Sequence, residues 1–110
     1  MVYKILRGAE WRALEISGAT RGSAADVADG FVHLSTAAQV AQTAARHFAG
    51  ETGLVLLALD GEALDNLRWE PSRGGALFPH LYAVLRLGDA LWSRPLPLEG
   101  GTHAFPDGLR

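Results

Sequence analysis

At 110 residues, 48% hydrophobic and 20% charged, the chain has the size and composition of one small globular domain and lies far from the disordered class. Ten basic residues against twelve acidic ones leave a net charge of −2, and the basic residues are scattered, which argues against a long nucleic-acid partner. The absence of cysteine excludes disulfides, thiolate metal sites and thiol nucleophiles together.

Residues 2–6 are β-formers and predict a first strand. Residues 8–17 carry Trp11, Leu14 and Ile16 among charged neighbours and predict a short helix closed by Gly18. Residues 19–30 are small and polar and read as a loop ending in Asp29-Gly30. A short extended run, Phe31-Val32-His33-Leu34, follows. Thr36-x-x-Gln39 fits a capping box, and Ala37, Val40, Ala41, Ala44 and Phe48 form one apolar helical stripe, with Gly50 as the stop.

The apolar run at 54–59 is short enough to predict a buried central strand, and far too short to span a bilayer. A single turn is expected at 62–64, a strand at 67–70 ended by Pro71, and a flexible loop at 71–75. Pro79 keeps residues 77–82 extended. Residues 90–98 predict a last strand, restricted to an edge by Pro95 and Pro97. Residues 1–99 are expected to form a single α+β domain, a small curved and mostly antiparallel sheet packed with two main helices, and residues 100–110 a loose C-terminal tail. Met1 leads straight into the first strand without a targeting segment, so a cytoplasmic monomer or weak dimer is expected.

His33 stands at the end of an extended run just before a helix start, where unpaired N–H groups favour anions, and Ser35 and Thr36 add hydroxyls there. The alternative is a structural histidine beside ordinary caps. His80 lies inside an apolar run with Phe78 and Tyr82, as a site residue or as a satisfied core histidine. Arg73 beside Gly74 suits a phosphate or carboxylate, because glycine lets the ligand approach the backbone, although a surface pair with Glu70 is the plainer account. Glu70, next to Trp69, is a candidate for a raised pKa and a proton-transfer role. The candidate catalytic residues are thus His33, Glu70 and His80, and the candidate ligand-binding residues Ser35, Thr36, Arg73, Gly74, Phe78 and Tyr82. Their spacing matches no metal-ligand motif, and no metal is expected.

The blocks Asp29-Gly30-Phe31-Val32-His33-Leu34-Ser35-Thr36 and Trp69-Glu70-Pro71-Ser72-Arg73-Gly74-Gly75-Ala76-Leu77-Phe78-Pro79-His80-Leu81-Tyr82 resemble the hallmark segments of the small bacterial family called domain of unknown function 952. The resemblance runs over nearly the whole chain, from Tyr3-Lys4-Ile5 and Trp11 onward. It implies a fold similar to the ADP-ribosyltransferases, with NAD as a possible substrate. His33-Leu34-Ser35 is similar to the His-x-Ser/Thr pattern that holds the nicotinamide ribose there, with Leu34 where many members have glycine. The resemblance further implies stacking of Tyr82 or Phe78 on the nicotinamide. Its catalytic acid belongs near a C-terminal strand, a place Glu99 approximates. The function expected from it is ADP-ribosyl transfer or NAD glycohydrolysis, and the alternative is a non-catalytic module for a nucleotide or small phosphorylated ligand.

Overall fold

In the computed structural model the backbone is described over residues 1–110, and the side chain of Arg73 lies outside the described residues. The elements run β1 (Val2–Leu6), α1 (Gly8–Ser17), β2 (Ala19–Thr20), α2 (Ala24–Asp29), β3 (Val32–His33), α3 (Ala37–His47), β4 (Leu54–Leu59), β5 (Leu67–Pro71), β6 (Leu77–Leu81), β7 (Leu85–Arg86), β8 (Ala90–Leu96), β9 (Leu98–Glu99) and β10 (Thr102–His103). The class is α+β, and every strand pair among the described residues is antiparallel.

One sheet has the order β1-β4-β8, so the apolar run of β4 is its central strand and the proline-bearing β8 an edge. Both faces of this sheet are covered, which is why β1 and β4 read as nearly unbroken apolar runs. On one face Val2, Leu6, Leu57 and Leu59 pack with Leu14 of α1 and with Val32, Leu81 and Leu85. On the other, Tyr3, Ile5, Leu56 and Ala58 pack with Val40 and Ala44 of α3. Leu56, Leu57 and Leu59 are fully buried, each contributing roughly 1.5–3 kcal/mol of transfer free energy.

The second sheet has the order β3-β6-β5. It joins the first through one bridge, where Tyr3 N–H donates to Ser35 O at 2.8 Å and Ser35 N–H returns to Tyr3 O at 2.9 Å. The two sheets therefore bend around a common seam. Two smaller antiparallel pairs, β2-β7 and β9-β10, complete the pairing.

Three expectations need correction. Residues 19–30 are not a loop but hold β2 and α2, so a third helix joins the two predicted. Local capping forms α2, because Ser23 accepts the Asp26 N–H at 3.2 Å while Asp26 Oδ2 accepts the Ser23 N–H at 2.9 Å. The last predicted strand is split at Pro97, whose carbonyl accepts the Ala104 N–H at 2.8 Å. The short helix predicted over residues 8–17 and closed by Gly18 is α1, in which Leu14 is buried and Ile16 is 88% exposed. Residues 100–110, expected to be loose, carry β10 and send Phe105 and Leu109 against the core face of α3. The Tyr3 hydroxyl donates to the Arg110 carbonyl and accepts the Arg110 N–H, both at 3.2 Å. Among the described residues no helix is long and apolar enough to cross a membrane.

Candidate functional site

Antiparallel register sets His33 of β3 directly opposite His80 of β6, and Arg68 of β5 opposite His80 on the other side. Strand alternation turns Val32, Leu81 and Leu67 toward the core and leaves His33, His80, Arg68 and Glu70 on the reverse face. The two imidazole centroids are 5.5 Å apart. Phe31 lies over both, at 4.1 Å from His80 and 4.6 Å from His33, with Tyr82 at 5.1 Å. The Arg68 guanidinium covers the Tyr82 ring at 4.9 Å.

His33 is held by α2. Asp26 Oδ1 accepts the ring Nδ1 at 2.5 Å and the backbone N–H of His33 at 3.1 Å. The other oxygen, Oδ2, receives Lys4 Nζ at 2.7 Å. Lys4 donates again to the His33 carbonyl at 3.1 Å. Lys4 and Asp26 are both buried, a situation tolerated only with complete pairing. Burial opposes ionisation of Asp26, but the His33 hydrogen bond, the Lys4 charge and hydrogen bond and the Ser23 N–H outweigh it. Together they hold the carboxyl far below the usual carboxylate range. On the far side of the ring, His33 Nε2 lies 3.1 Å from Asp29 Oδ2.

His80 is held by β5. Its Nδ1 bonds Glu70 Oε1 at 2.8 Å, and the Tyr82 hydroxyl donates to the same oxygen at 2.7 Å. These contacts lower the Glu70 pKa, the Tyr82 hydrogen bond more than that of His80. That corrects the raised value expected from the neighbouring Trp69, because two donors act and Trp69 itself is 49% exposed. Tyr82 shifts upward in return, chiefly because its proton is engaged by Glu70.

A cleft of about 360 Å³ opens between the seam, α2 and α3, lined among others by Lys4, Asp26, His33, Ser35, Phe78 and His80. Four of the residues nominated from sequence thus meet there: His33, Ser35, Phe78 and His80. Glu70 and Tyr82 are not in its lining and reach it through His80. Ser35 is buried, with Oγ 2.9 Å from Thr43 Oγ1 of α3. Thr36 caps α3 instead of facing the cleft, and its N–H is taken by Gln39 Oε1 at 3.1 Å. Gln39 Nε2 in turn donates to the Leu77 carbonyl at 2.7 Å, tying α3 to β6.

Gly74 and Gly75 have φ of +70° and +80°, which explains glycine in that turn, and the adjacent Ser72 lines the cleft. The Arg73 side chain, nominated for phosphate binding, lies outside the described residues. Glu99 sits in the β9-β10 hairpin and takes no part in the lining. Among the described residues no group of three or more acidic or histidine side chains is placed to hold a metal ion. Sequence reasoning missed Lys4 and Asp26. A lysine amid five consecutive strand residues was the available signal for one, and Ser23-x-x-Asp26 ahead of Gly30 for the other.

These features define an α+β chain with a curved antiparallel sheet whose reverse face carries two carboxylate-bound histidines at a cleft. The family described as protein of unknown function DUF952 matches residues 5–93, and the chain belongs to it. It is also similar to protein CC0527 from Caulobacter crescentus. The crystal structure of that protein shares 48% identity over 94% of this chain and 92% of that one, with a TM-score of 0.90. Its solution NMR structure shares 48% identity over 93% and 89%, with a TM-score of 0.83. No curated protein matches the chain.

Proposed function

We propose that the cleft binds a nucleotide or other small phosphorylated ligand, NAD and ADP-ribose first among them, in a cytoplasmic protein of ADP-ribosyltransferase-like fold. The observation that carries the reading is the meeting of Lys4, His33, Ser35 and His80 on one cleft of about 360 Å³. That volume falls near the lower end of small-molecule sites, roughly 300–1,000 Å³, and suits one nucleotide half better than a large polymer. In this reading His33 and Ser35 hold ribose hydroxyls, as the His-x-Ser pattern implies, and Phe78 stacks on a planar ring. The scattered basic residues and net charge of −2 support a free small molecule over long nucleic acid.

One observation favours a catalytic version. Glu70 is kept ionised by Tyr82 and His80 beside the cleft, and a fixed carboxylate can stabilise an oxocarbenium-like transition state of ADP-ribosyl transfer or NAD glycohydrolysis.

The test is a thermal-shift series with NAD, ADP-ribose, AMP and ribose 5-phosphate. Ligand at about one hundred times its dissociation constant adds about 2.7 kcal/mol, or roughly 10–20 °C for a domain of this size. His33→Ala should abolish the shift while circular dichroism stays unchanged. No shift with any of the four at millimolar concentration overturns the binding reading. Release of nicotinamide from NAD, lost in Glu70→Gln, tests the catalytic version.

A further inference from the structure

Two imidazoles share one cleft, each with Nδ1 on its own carboxylate. His33 rests on Asp26, and His80 on Glu70. The ring centroids lie 5.5 Å apart in an edge-on arrangement across a register pair. An imidazole whose Nδ1–H is given to a carboxylate has its tautomer fixed, and its Nε2 is left as the working nitrogen. Ionised carboxylates only accept, so both Asp26 and Glu70 demand that proton. Lys4 and the Ser23 N–H secure Asp26, and the Tyr82 hydroxyl secures Glu70.

The two Nε2 atoms differ. That of His33 lies 3.1 Å from Asp29 Oδ2, a partner that can only accept a proton. Glu70 touches only Nδ1 of His80. The geometry points to His33 as a general acid and His80 as a general base acting on a ribonucleoside phosphodiester or 2′,3′-cyclic phosphate without metal, with Asp26 and Glu70 as positioning residues. This rests on the reading that the cleft takes a phosphorylated nucleotide-like ligand. It does not need glycosidic chemistry.

The step balances without a further reactant. The substrate's 2′-hydroxyl gives its proton to Nε2 of His80, and its oxygen forms a new bond to phosphorus. The bond from phosphorus to O5′ breaks, and O5′ leaves with the proton from Nε2 of His33, which exchanges Asp29 Oδ2 for the leaving oxygen. The products are a 2′,3′-cyclic phosphate and a 5′-hydroxyl. Water then runs the sequence backwards. His33 takes its proton, the water oxygen bonds to phosphorus, the bond to O2′ breaks, and O2′ recovers the proton from His80. Phe78 and Ser35 line the same cleft, and the Lys4 charge there stays committed to Asp26.

The full chain is incubated with UpA and with 2′,3′-cyclic AMP in EDTA across pH 4–9, with products separated by chromatography. Cleavage of UpA and opening of the cyclic phosphate on a bell-shaped pH profile is the expected result. The limbs belong to His33, faced by Asp26, Asp29 and His80, with Lys4 beyond Asp26, and to His80, faced by Glu70, Arg68 and His33. His33→Ala and His80→Ala should each lower the rate at least about 100-fold, the usual scale of acid–base catalysis. Glu70→Gln should move one limb of the profile, an effect that loss of packing alone does not produce. Binding of TpA, which lacks the 2′-hydroxyl, is measured separately by calorimetry. TpA bound with no cleavage of UpA overturns this inference and leaves the binding reading standing. No binding and no cleavage overturns this inference alone, the binding reading being decided by the thermal-shift series with NAD, ADP-ribose, AMP and ribose 5-phosphate. Nitrogen NMR of labelled wild-type histidines needs no variant, and a proton on Nε2 of free neutral His80, with Nδ1 bare, also overturns it.

Discussion

Lys4 is a charge inside a strand whose five residues are all buried, and it is stable there because Asp26 and the His33 carbonyl meet its donors. Removing one member of a buried pair leaves the other uncompensated, at a cost of about 3–5 kcal/mol. Asp26→Asn should therefore lower the urea midpoint severely, and Lys4→Met combined with Asp26→Leu should recover much of the loss. Acid titration separates the charge effect from packing. The folded chain holds Asp26 below its unfolded value of about 3.9, so its contribution is complete above about pH 4 and disappears as pH falls toward the folded value. Urea midpoints measured from pH 2 to 7 should fall more steeply in that acid window for the wild type than for the double variant. His33 and His80 were legible as candidates because polar rings stand out in apolar runs. The ion pair that holds His33 was not, because Asp26 is near in space only once α2 has formed.

At the scale of elements, α2 shows why local reading failed. Its residues, Ala24 to Asp29, are small or acidic apart from the exposed Val27, and no apolar period marks them. The helix exists through its ends, with Ser23 and Asp26 capping each other and Gly30 turning left-handed at φ +86°. Ser23→Ala should cost about 1 kcal/mol in chemical denaturation. Gly22 is a sharper test, because its φ is +95° and an added Cβ would meet Asp26 Oδ2 at 2.0 Å. Gly22→Ala should cost more than about 1 kcal/mol and displace the Asp26 carboxylate, whereas Gly101→Ala meets open space and should carry backbone strain alone. Midpoints of the two variants, with the His33 ring NMR shifts, compare them directly. The longer elements were readable because period and stop coincide. The apolar run of β4 and the Thr36-to-Gln39 start of α3 fall where expected.

Over the whole molecule the β1-β4-β8 sheet, covered on both faces, sets the stability. Leu57 is fully buried between layers, and Leu57→Ala should cost about 2–5 kcal/mol in thermal or urea unfolding. The closing residues, 104–110, belong to the same account, since Phe105 and Leu109 cover one core face. Composition could not reveal this, because the contacts join positions 107 residues apart, as in the pair of Tyr3 and Arg110. The bridge between Tyr3 and Ser35 carries a different consequence. With only two main-chain bonds stitching the sheets there, the walls of the hollow can spread only by undoing that stitch. The amide protons of Tyr3 and Ser35 are thus built-in gauges of breathing, whose exchange with solvent should slow whenever something is gripped between the walls.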